Sequence, residues 1–481
     1  MSKDVLNISR EPLEDVLSKE QLMDIKETQR HWFYFKDKSF TPGQRALLLK
    51  ALQLTIRKYE DEILESLYLD LGRHKVESYV GEVAIVYEEL RRHIRNVMLW
   101  ARPKKVPSPL SIFPSKSRIY KEAYGNVLII APWNYPFQLA LMPLIGAISA
   151  GNTAVIKPSE FSPNTGRVLD KIISEVFQKE MVKVVLGAKE TSKMLLDMKW
   201  DKVFFTGSPS IGKKVMEKCA ENLTPVTLEL GGKSPVIIND TSNMRVCTDR
   251  ILFGKASNSG QVCVAPDYVL VKETLLVDFV KSFKASCDKM FPGQGMERYE
   301  QMARIIRKDA FDRIVDELQE VDVLLGGGFD DEKLKIEPTL VDGGRASEPL
   351  DIPFMEREIF GPVLPVLTYR TLDEAIEYVV KGEKPLALYL FTGHKKVEKK
   401  VLSKVSFGGG CINDTLIHLA NGRLPLGGVG MSGMGAYHGR KSFDTFTHEK
   451  SVVKKGVLID IPLRYMPFTD KKYSLIRKIL K

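Results

Sequence analysis

The sequence predicts an α/β protein built on two parallel sheets covered by helices. Three observations carry that expectation. Apolar runs of strand length recur through residues 127–238, with helical patterns between several of them. The alternation starts again beyond Gly231, which gives a second α/β unit. At 481 residues the chain has room for two or three domains.

The chain up to about Pro103 reads as helical. Thr41-Pro42 sets a capping hydroxyl before a first-turn proline, and Leu47, Ala51, Leu54, Arg57 and Ile63 follow at helical spacing toward an end at Gly72. A second helical run over residues 77–100 puts Tyr79, Val83, Val86 and Leu90 on one side. Pro103, Pro107, Pro109 and Pro114 then force an extended crossing. Residues 123–156 carry no charge and are long enough to span a bilayer. Pro132, Pro136 and Pro143, with Asn134, Gln138 and Asn152, divide them, so the expectation is strand, loop, helix and strand in a protein interior.

Strands are expected at residues 127–130, 154–156, 182–186, 203–205, 226–230 and 236–238, with a helix over 163–178 behind Ser162. The second unit continues with strands at 268–271, 321–325, 362–367 and 386–391 and helices at 275–290 and 372–380. The glycine-rich residues 427–435 read as a flexible loop over the site.

Composition narrows the function. With 44% hydrophobic and 27% charged residues the chain is an ordinary soluble globular protein. The net charge of +10 is spread among mixed signs, so no nucleic-acid partner is expected. The tail differs: Lys471, Lys472, Arg477, Lys478 and Lys481 surround Leu475, Ile476, Ile479 and Leu480. It reads either as weak peripheral contact with an anionic membrane or as a solvated or subunit-packing terminus. Five cysteines without a C-x-x-C pair point to a reducing compartment, and seven unpaired histidines to no catalytic metal. Met1-Ser2-Lys3-Asp4 leads into a mixed-charge helix rather than a signal peptide.

Among the thiols, Cys263 stands apart. Cys219, Cys247, Cys287 and Cys411 lie in helical or apolar contexts and read as packing residues. Cys263 follows residues 255–261, whose small and polar side chains leave room for a substrate, and precedes Pro266. A nucleophilic cysteine acts as thiolate and needs access and a lowered pKa. Glu229 sits in an otherwise apolar strand before two glycines, where burial raises a carboxylate's pKa toward that of a general base. Asn134, in the charge-free segment, offers a neutral donor to a developing oxyanion. Gly207, Ser208 and Gly212 run from a strand through a turn into a helix, whose free amides suit a pyrophosphate. Lys157 and Glu160, at an earlier strand end, can bond ribose hydroxyls, and the carboxylate would oppose a 2′-phosphate.

Taken together, Gly-Gln-Val-Cys at 260–263, Leu-Glu-Leu-Gly-Gly-Lys at 228–233, Pro-Trp-Asn-Tyr-Pro at 132–136, Lys-Pro-Ser-Glu at 157–160, Phe-Thr-Gly-Ser at 205–208 and Glu-Ile-Phe-Gly-Pro at 358–362 resemble the aldehyde dehydrogenase superfamily, over residues 20 to 455. Cys-Val-Ala-Pro-Asp-Tyr at 263–268 and the stretches 435–440 and 442–448 are similar to its class 3, or fatty-aldehyde, branch. The chain departs from the family in placing Arg357 between Glu356 and Glu358.

The resemblance implies a Rossmann-type cofactor domain (1–112 and 125–231), a catalytic domain (232–425), a bridging β element (113–124 and 440–455) that pairs subunits, and a basic tail (456–481). It implies that Glu358 holds the nicotinamide ribose and that Trp133 and Phe360 join the cofactor contacts. The expected reaction oxidises an apolar aldehyde, medium- or long-chain or aromatic, to the acid through a thioester on Cys263. Glu229 activates water, and Asn134 with the Cys263 N–H holds the oxyanion. NAD is the expected cofactor, with NADP also accepted in the branch. A cytoplasmic homodimer, with peripheral membrane contact left open, is the expected state. Tyr437 and His438 are either proton relays or entrance residues, or simple packing. The alternatives are a CoA-acylating or acyl-phosphate-linked enzyme, which would not need a water-activating Glu229, and a non-catalytic scaffold of this fold.

Overall fold

The computed structural model describes residues 13–15, 17–36, 41–240 and 243–480. The expected opening of the chain, Lys481 and the side chain of Ile479 lie outside the described residues. The charge-free segment folds as strand, loop, helix and strand: Asn126–Ile130, a turn carrying Trp133 and Asn134, Pro136–Ala150 and Thr153–Lys157. Every residue of that helix is buried, which explains the absence of charge. Pro143 does not divide it; it stands inside the helix, whose dense packing offsets the lost backbone donor. Among the described residues no helix is long and apolar enough to cross a membrane.

These strands belong to a six-stranded sheet in the spatial order Gly433–Met434, Val226–Leu230, Lys202–Gly207, Asn126–Ile130, Thr153–Lys157, Val182–Val184. Pairing is parallel except at the Gly433–Met434 edge. The chain leaves Asn126–Ile130 in one direction and returns to lay Lys202–Gly207 on its other side. The order therefore reverses there, and a crevice opens at the carboxyl ends of those two strands.

The helical N-terminal region covers one side of this sheet. Thr41 closes a capping box with Gln44, and Gly72 ends the run in a left-handed turn, φ +66°. The expected single helix is two, Pro42–Lys58 and Glu60–Leu71, because Tyr59 leaves helical geometry. The expected apolar face is also wrong: Leu47 and Leu54 are 67% and 54% exposed, while Leu49, Leu52 and Ile56 are buried. Three consecutive leucines, 47–49, satisfy helical spacing on either face, and packing on the helix Ala84–Trp100 selects one. Before that helix a π-turn, Tyr79–Val83, carries Glu82 into the interior and leaves Tyr79 outside.

The second unit is an eight-stranded sheet in which the successive strands Thr339–Arg345, Val363–Tyr369, Tyr268–Lys272, Pro235–Ile238, Ala387–Phe391 and Gly409–Ile412, the last at the edge, are parallel. A third sheet pairs Lys104–Val106 with Ser115–Ala123 and Ser115–Ala123 with Thr447–Lys455, all antiparallel. The C-terminal helix Asp470–Leu480 follows a segment in which Val457 and Leu458 are each 97% exposed.

The glycine-rich stretch is not a flexible loop. Gly433 and Met434 pair with Glu229 and Leu228 as the edge strand of the first sheet. A Cβ at Gly428 would strike the Ser432 carbonyl and one at Gly433 the Leu228 carbonyl, so these glycines permit close backbone packing.

Candidate active site

Cys263 lies on the loop between the helix Met244–Ala256 and the strand Tyr268–Lys272. Three successive left-handed residues, Asn258 (φ 47°), Ser259 (φ 52°) and Gly260 (φ 75°), turn the chain there. The two non-glycine ones cost about 1–3 kcal/mol each and persist because their surroundings fix them. Asn258 donates to the carbonyls of Asn134 (3.0 Å) and Gln261 (3.1 Å), Ser259 to that of Ala303 (2.5 Å), and Gln261 to that of Arg304 (2.9 Å). The small polar side chains before Cys263 therefore do not leave space for substrate, as their sizes alone suggested; Lys255, Asn258, Ser259 and Gln261 are buried and lock the loop. A Cβ at Gly260 would strike the Gly361 carbonyl, so this turn sits directly against the 358–362 loop.

Two carboxylates face the half-buried thiol. Glu229 is 4% exposed, and neither of its oxygens has a hydrogen-bond partner among the described residues. Burial raises its pKa well above the ordinary value. Glu358 fills the space that a side chain at Gly231 would occupy. Burial first, then the Asp267 carboxylate, pushes Glu358 up to about 8, against the Gly232 N–H, Lys233 and Lys255. Burial, then Glu358 and Glu229, push the Cys263 thiol up to about 12, opposed by the N–H groups of Cys263 and Val264. The lowered thiol pKa expected of a nucleophile is thus absent from the protein by itself, because the loop puts sulfur beside carboxylates and away from water.

Asn134 is buried, and its Nδ2 donates to the Gln261 carbonyl at 3.0 Å, two residues before the thiol. Its own carbonyl accepts from Asn258 and, at 3.4 Å, from Arg73. Arg73 is fully buried, lies 4.7 Å over the Tyr135 ring and pairs with Glu82. Glu82 also accepts from the N–H groups of Phe137 (2.8 Å) and Gln138 (2.9 Å), at the start of the helix that follows Asn134. Neither Arg73 nor Glu82 figured among the sequence-level candidates. The available signal was a glutamate within the apolar run Tyr79-Val80-Gly81-Glu82-Val83. Lys255 was also missed; burial pushes it down to about 8 against the pull of Asp267 and Glu358.

The remaining candidates gather at the carboxyl ends of the first sheet. Lys157 ends its strand 1% exposed, donates to the Pro158 carbonyl at 2.8 Å and lies 3.7 Å from Glu160. Gly207 ends another strand, and Ser208 caps the helix Pro209–Glu221 by accepting from the Ile211 N–H at 3.4 Å. Gly212 lets that helix approach Leu230, whose side chain a Cβ there would meet at 2.6 Å. Thr206, not among the candidates, has a buried hydroxyl without a partner among the described residues, and it pairs in register with Glu229. Trp133 and Phe360 meet edge to face at 5.4 Å, with Phe360 held at φ 52°. A long helix's N-terminus at the sheet's reversal, a buried lysine beside a half-exposed glutamate and an unmet hydroxyl fit a dinucleotide.

Tyr437 is buried, exchanges backbone hydrogen bonds with Leu426 and packs on Phe204 at 5.2 Å. Burial, then Glu229 and Cys263, raise its pKa. His438 is buried at φ 79°; burial lowers its pKa to about 4, and its Nε2 has no partner among the described residues.

Comparison with known proteins completes the picture. The family model described as "Aldehyde dehydrogenase family" matches residues 24–452. The chain is 47% identical to 4,4′-diaponeurosporen-aldehyde dehydrogenase of Staphylococcus aureus, over 93% of this chain and 95% of that protein. It is 41% identical to aldehyde dehydrogenase family 3 member H1 of Arabidopsis thaliana, over 91% and 90%. A solved structure described as the substrate-bound state of Staphylococcus aureus AldH superposes with a TM-score of 0.92 at 44% identity, covering 97% of this chain and 100% of that one. The NAD+ complex of a Bacillus cereus aldehyde dehydrogenase superposes at 0.82 with 26% identity, over 92% of each chain.

Proposed function

The chain belongs to the aldehyde dehydrogenase family, in its class 3 branch, and from that premise we propose that it oxidises apolar aldehydes to carboxylic acids with Cys263 as nucleophile, Glu229 as base and NAD as cofactor. The observation that carries the proposal is Glu229: a buried carboxylate whose two oxygens have no hydrogen-bond partner among the described residues, and whose charge opposes ionisation of the Cys263 thiol. Such a group is costly to bury and is maintained where a proton must be taken.

Cys263 Sγ attacks the carbonyl carbon and forms a carbon–sulfur bond, while its proton departs to a base. The oxyanion that develops is held by the Asn134 Nδ2–H left free beside its bond to Gln261 and by the backbone N–H of Cys263. NAD, when bound, supplies the acceptor for the hydride whose loss turns this adduct into a thioester. Glu229 then takes a proton from water, whose oxygen displaces the sulfur and releases the acid. A carboxylate pushed upward by burial is a well-matched acceptor near neutral pH.

The residues proposed to hold the cofactor are Lys157, Glu160, the turn from Gly207 to Gly212, Glu358, Phe360 and Trp133. Glu160, half-buried at the strand end beside Lys157, opposes a 2′-phosphate and favours NAD over NADP. Tyr437 and His438 are proposed to pack behind Glu229 rather than to relay protons. The first sheet with the N-terminal helices is the proposed cofactor domain and the eight-stranded sheet the catalytic one. The three-stranded sheet is the proposed site of homodimer pairing, and the exposed tail an optional contact with a membrane surface.

The test is a panel of aldehydes of increasing length with NAD or NADP, followed by reduced-cofactor absorbance and by mass spectrometry of the protein trapped during turnover. Rising kcat/KM with chain length, a preference for NAD and an acyl adduct on the peptide containing Cys263 are expected. Absence of both turnover and adduct overturns the proposal.

A further inference from the structure

An open groove of about 600 Å3 lies between the helix Ala84–Trp100 and residues 417–423. Arg91, Arg92 and Arg95 reach it from the helix and Arg423 from the opposite wall, and Glu88 is the only carboxylate in the lining. Glu88 lies 3.2 Å from Arg91 and 2.8 Å from Arg92. Arg95 and Arg423, both exposed, have no ion pair among the described residues. The groove thus concentrates four guanidinium groups around one carboxylate.

The cluster is built rather than incidental. A Cβ at Gly422 would meet the Arg92 guanidinium at 3.3 Å, and one at Gly439 (φ +54°) would strike the Gly422 carbonyl and stand 3.0 Å from Arg92 Cδ. Two glycines therefore let backbone close around the Arg92 stem and fix its head. Arg92 Nε is buried there with no hydrogen-bond partner among the described residues. That atom is closed off from the groove; what faces it is a set of guanidinium groups, two of them without an ion pair among the described residues, that an anion accepting several N–H groups at once would satisfy.

The groove shares a wall with the layer that covers the thiol. Leu419 packs both on the cluster containing Phe137 and on the one that Cys263 and Tyr135 adjoin. The neighbouring His418 ring lies 6.0 Å from that of Tyr389, whose hydroxyl donates to the Val264 carbonyl at 2.5 Å. None of the residues proposed to hold the cofactor lines the groove.

We propose that this groove is an anion site for a carboxylate or phosphate group, and that it receives such a group at the far end of an aldehyde whose chain is otherwise apolar; this last step rests on the function proposed above. Planar guanidinium forks match both oxyanions in bidentate geometry. A groove of this size suits a small molecule or a chain end.

Two measurements test it on the full chain. Calorimetric titration with sodium pyrophosphate at low salt should show saturable binding that weakens about tenfold for each arginine removed in R95Q and in R95Q/R423Q. The control K396Q/K399Q, which removes equal charge from an exposed site elsewhere, should retain it. No binding, or equal weakening in the control, overturns the anion site. The second measurement compares an ω-oxo acid with an unsubstituted aldehyde of equal carbon number. A kcat/KM ratio that favours the ω-oxo acid and falls about tenfold in R95Q/R423Q supports the far-end assignment. A ratio that the substitutions do not move assigns the groove to a free anion and overturns the far-end step. Should no aldehyde be oxidised, the reading of the thiol site fails while the titration still decides the groove.

Discussion

Replacing Glu229 with Gln separates two consequences of one buried carboxylate. The side chain keeps its shape, loses its capacity to take a proton and no longer ionises. If Glu229 activates water, hydrolysis of the thioester loses a general base, a contribution of about 100- to 10,000-fold, or roughly 3–5 kcal/mol of barrier. Formation of the thioester does not use this proton transfer from water. Rapid mixing of E229Q with aldehyde and NAD should therefore give a burst of about one reduced cofactor per site, followed by slow turnover, with acylated Cys263 accumulating.

The same substitution predicts a stability change with a definite sign. Burial holds the native carboxyl protonated above the ordinary glutamate range. The unfolded chain releases that proton above about pH 4.3. Stability is therefore full below that value and falls as pH rises toward the native pKa, by at most about 1.4 kcal/mol per pH unit. Gln has no such slope. Urea denaturation at pH 5, 6 and 7 should show E229Q gaining on the parent as the pH rises. Full steady turnover with no burst would refute the base assignment, and parallel stability curves would refute the raised pKa of this carboxyl.

Other outcomes follow from the same geometry. Because burial and two carboxylates push the Cys263 thiol up to about 12, alkylation by iodoacetamide without cofactor should accelerate about tenfold per pH unit from 6 to 9; a plateau near neutrality would contradict this. Glu82→Gln leaves the Arg73 charge buried without its counter-ion and should destabilise the protein by about 3–5 kcal/mol. Because that pair anchors the Asn134 carbonyl and the following helix, kcat should fall more than KM rises, checked at a temperature where the variant remains folded. Gly433→Ala, at φ +146° and against the Leu228 carbonyl, should cost about 1–3 kcal/mol and raise hydrogen exchange at the edge strand beside Glu229; unchanged exchange would show that the strand tolerates a side chain.

The sequence alone determined the α/β architecture, because runs such as 127–130 and 236–238 are apolar on both faces and only a covered parallel sheet buries them so. It also singled out Glu229, since a carboxylate in such a strand has few structural uses, and Cys263, whose local context differs from that of every other thiol. Its motifs sufficed for the family, a property of local residue order. Tertiary structure alone decided which face of the helix Pro42–Lys58 packs, because adjacent leucines satisfy both. It decided that the glycine-rich stretch is an edge strand, because the carbonyl that Gly433 must clear comes from Leu228, some two hundred residues earlier. It also decided the charge state around the sulfur. Glu358, Asp267, Lys255, Arg73 and Glu82 act through neighbours that only folding brings near, and the desolvation that shifts them is a property of the closed interior.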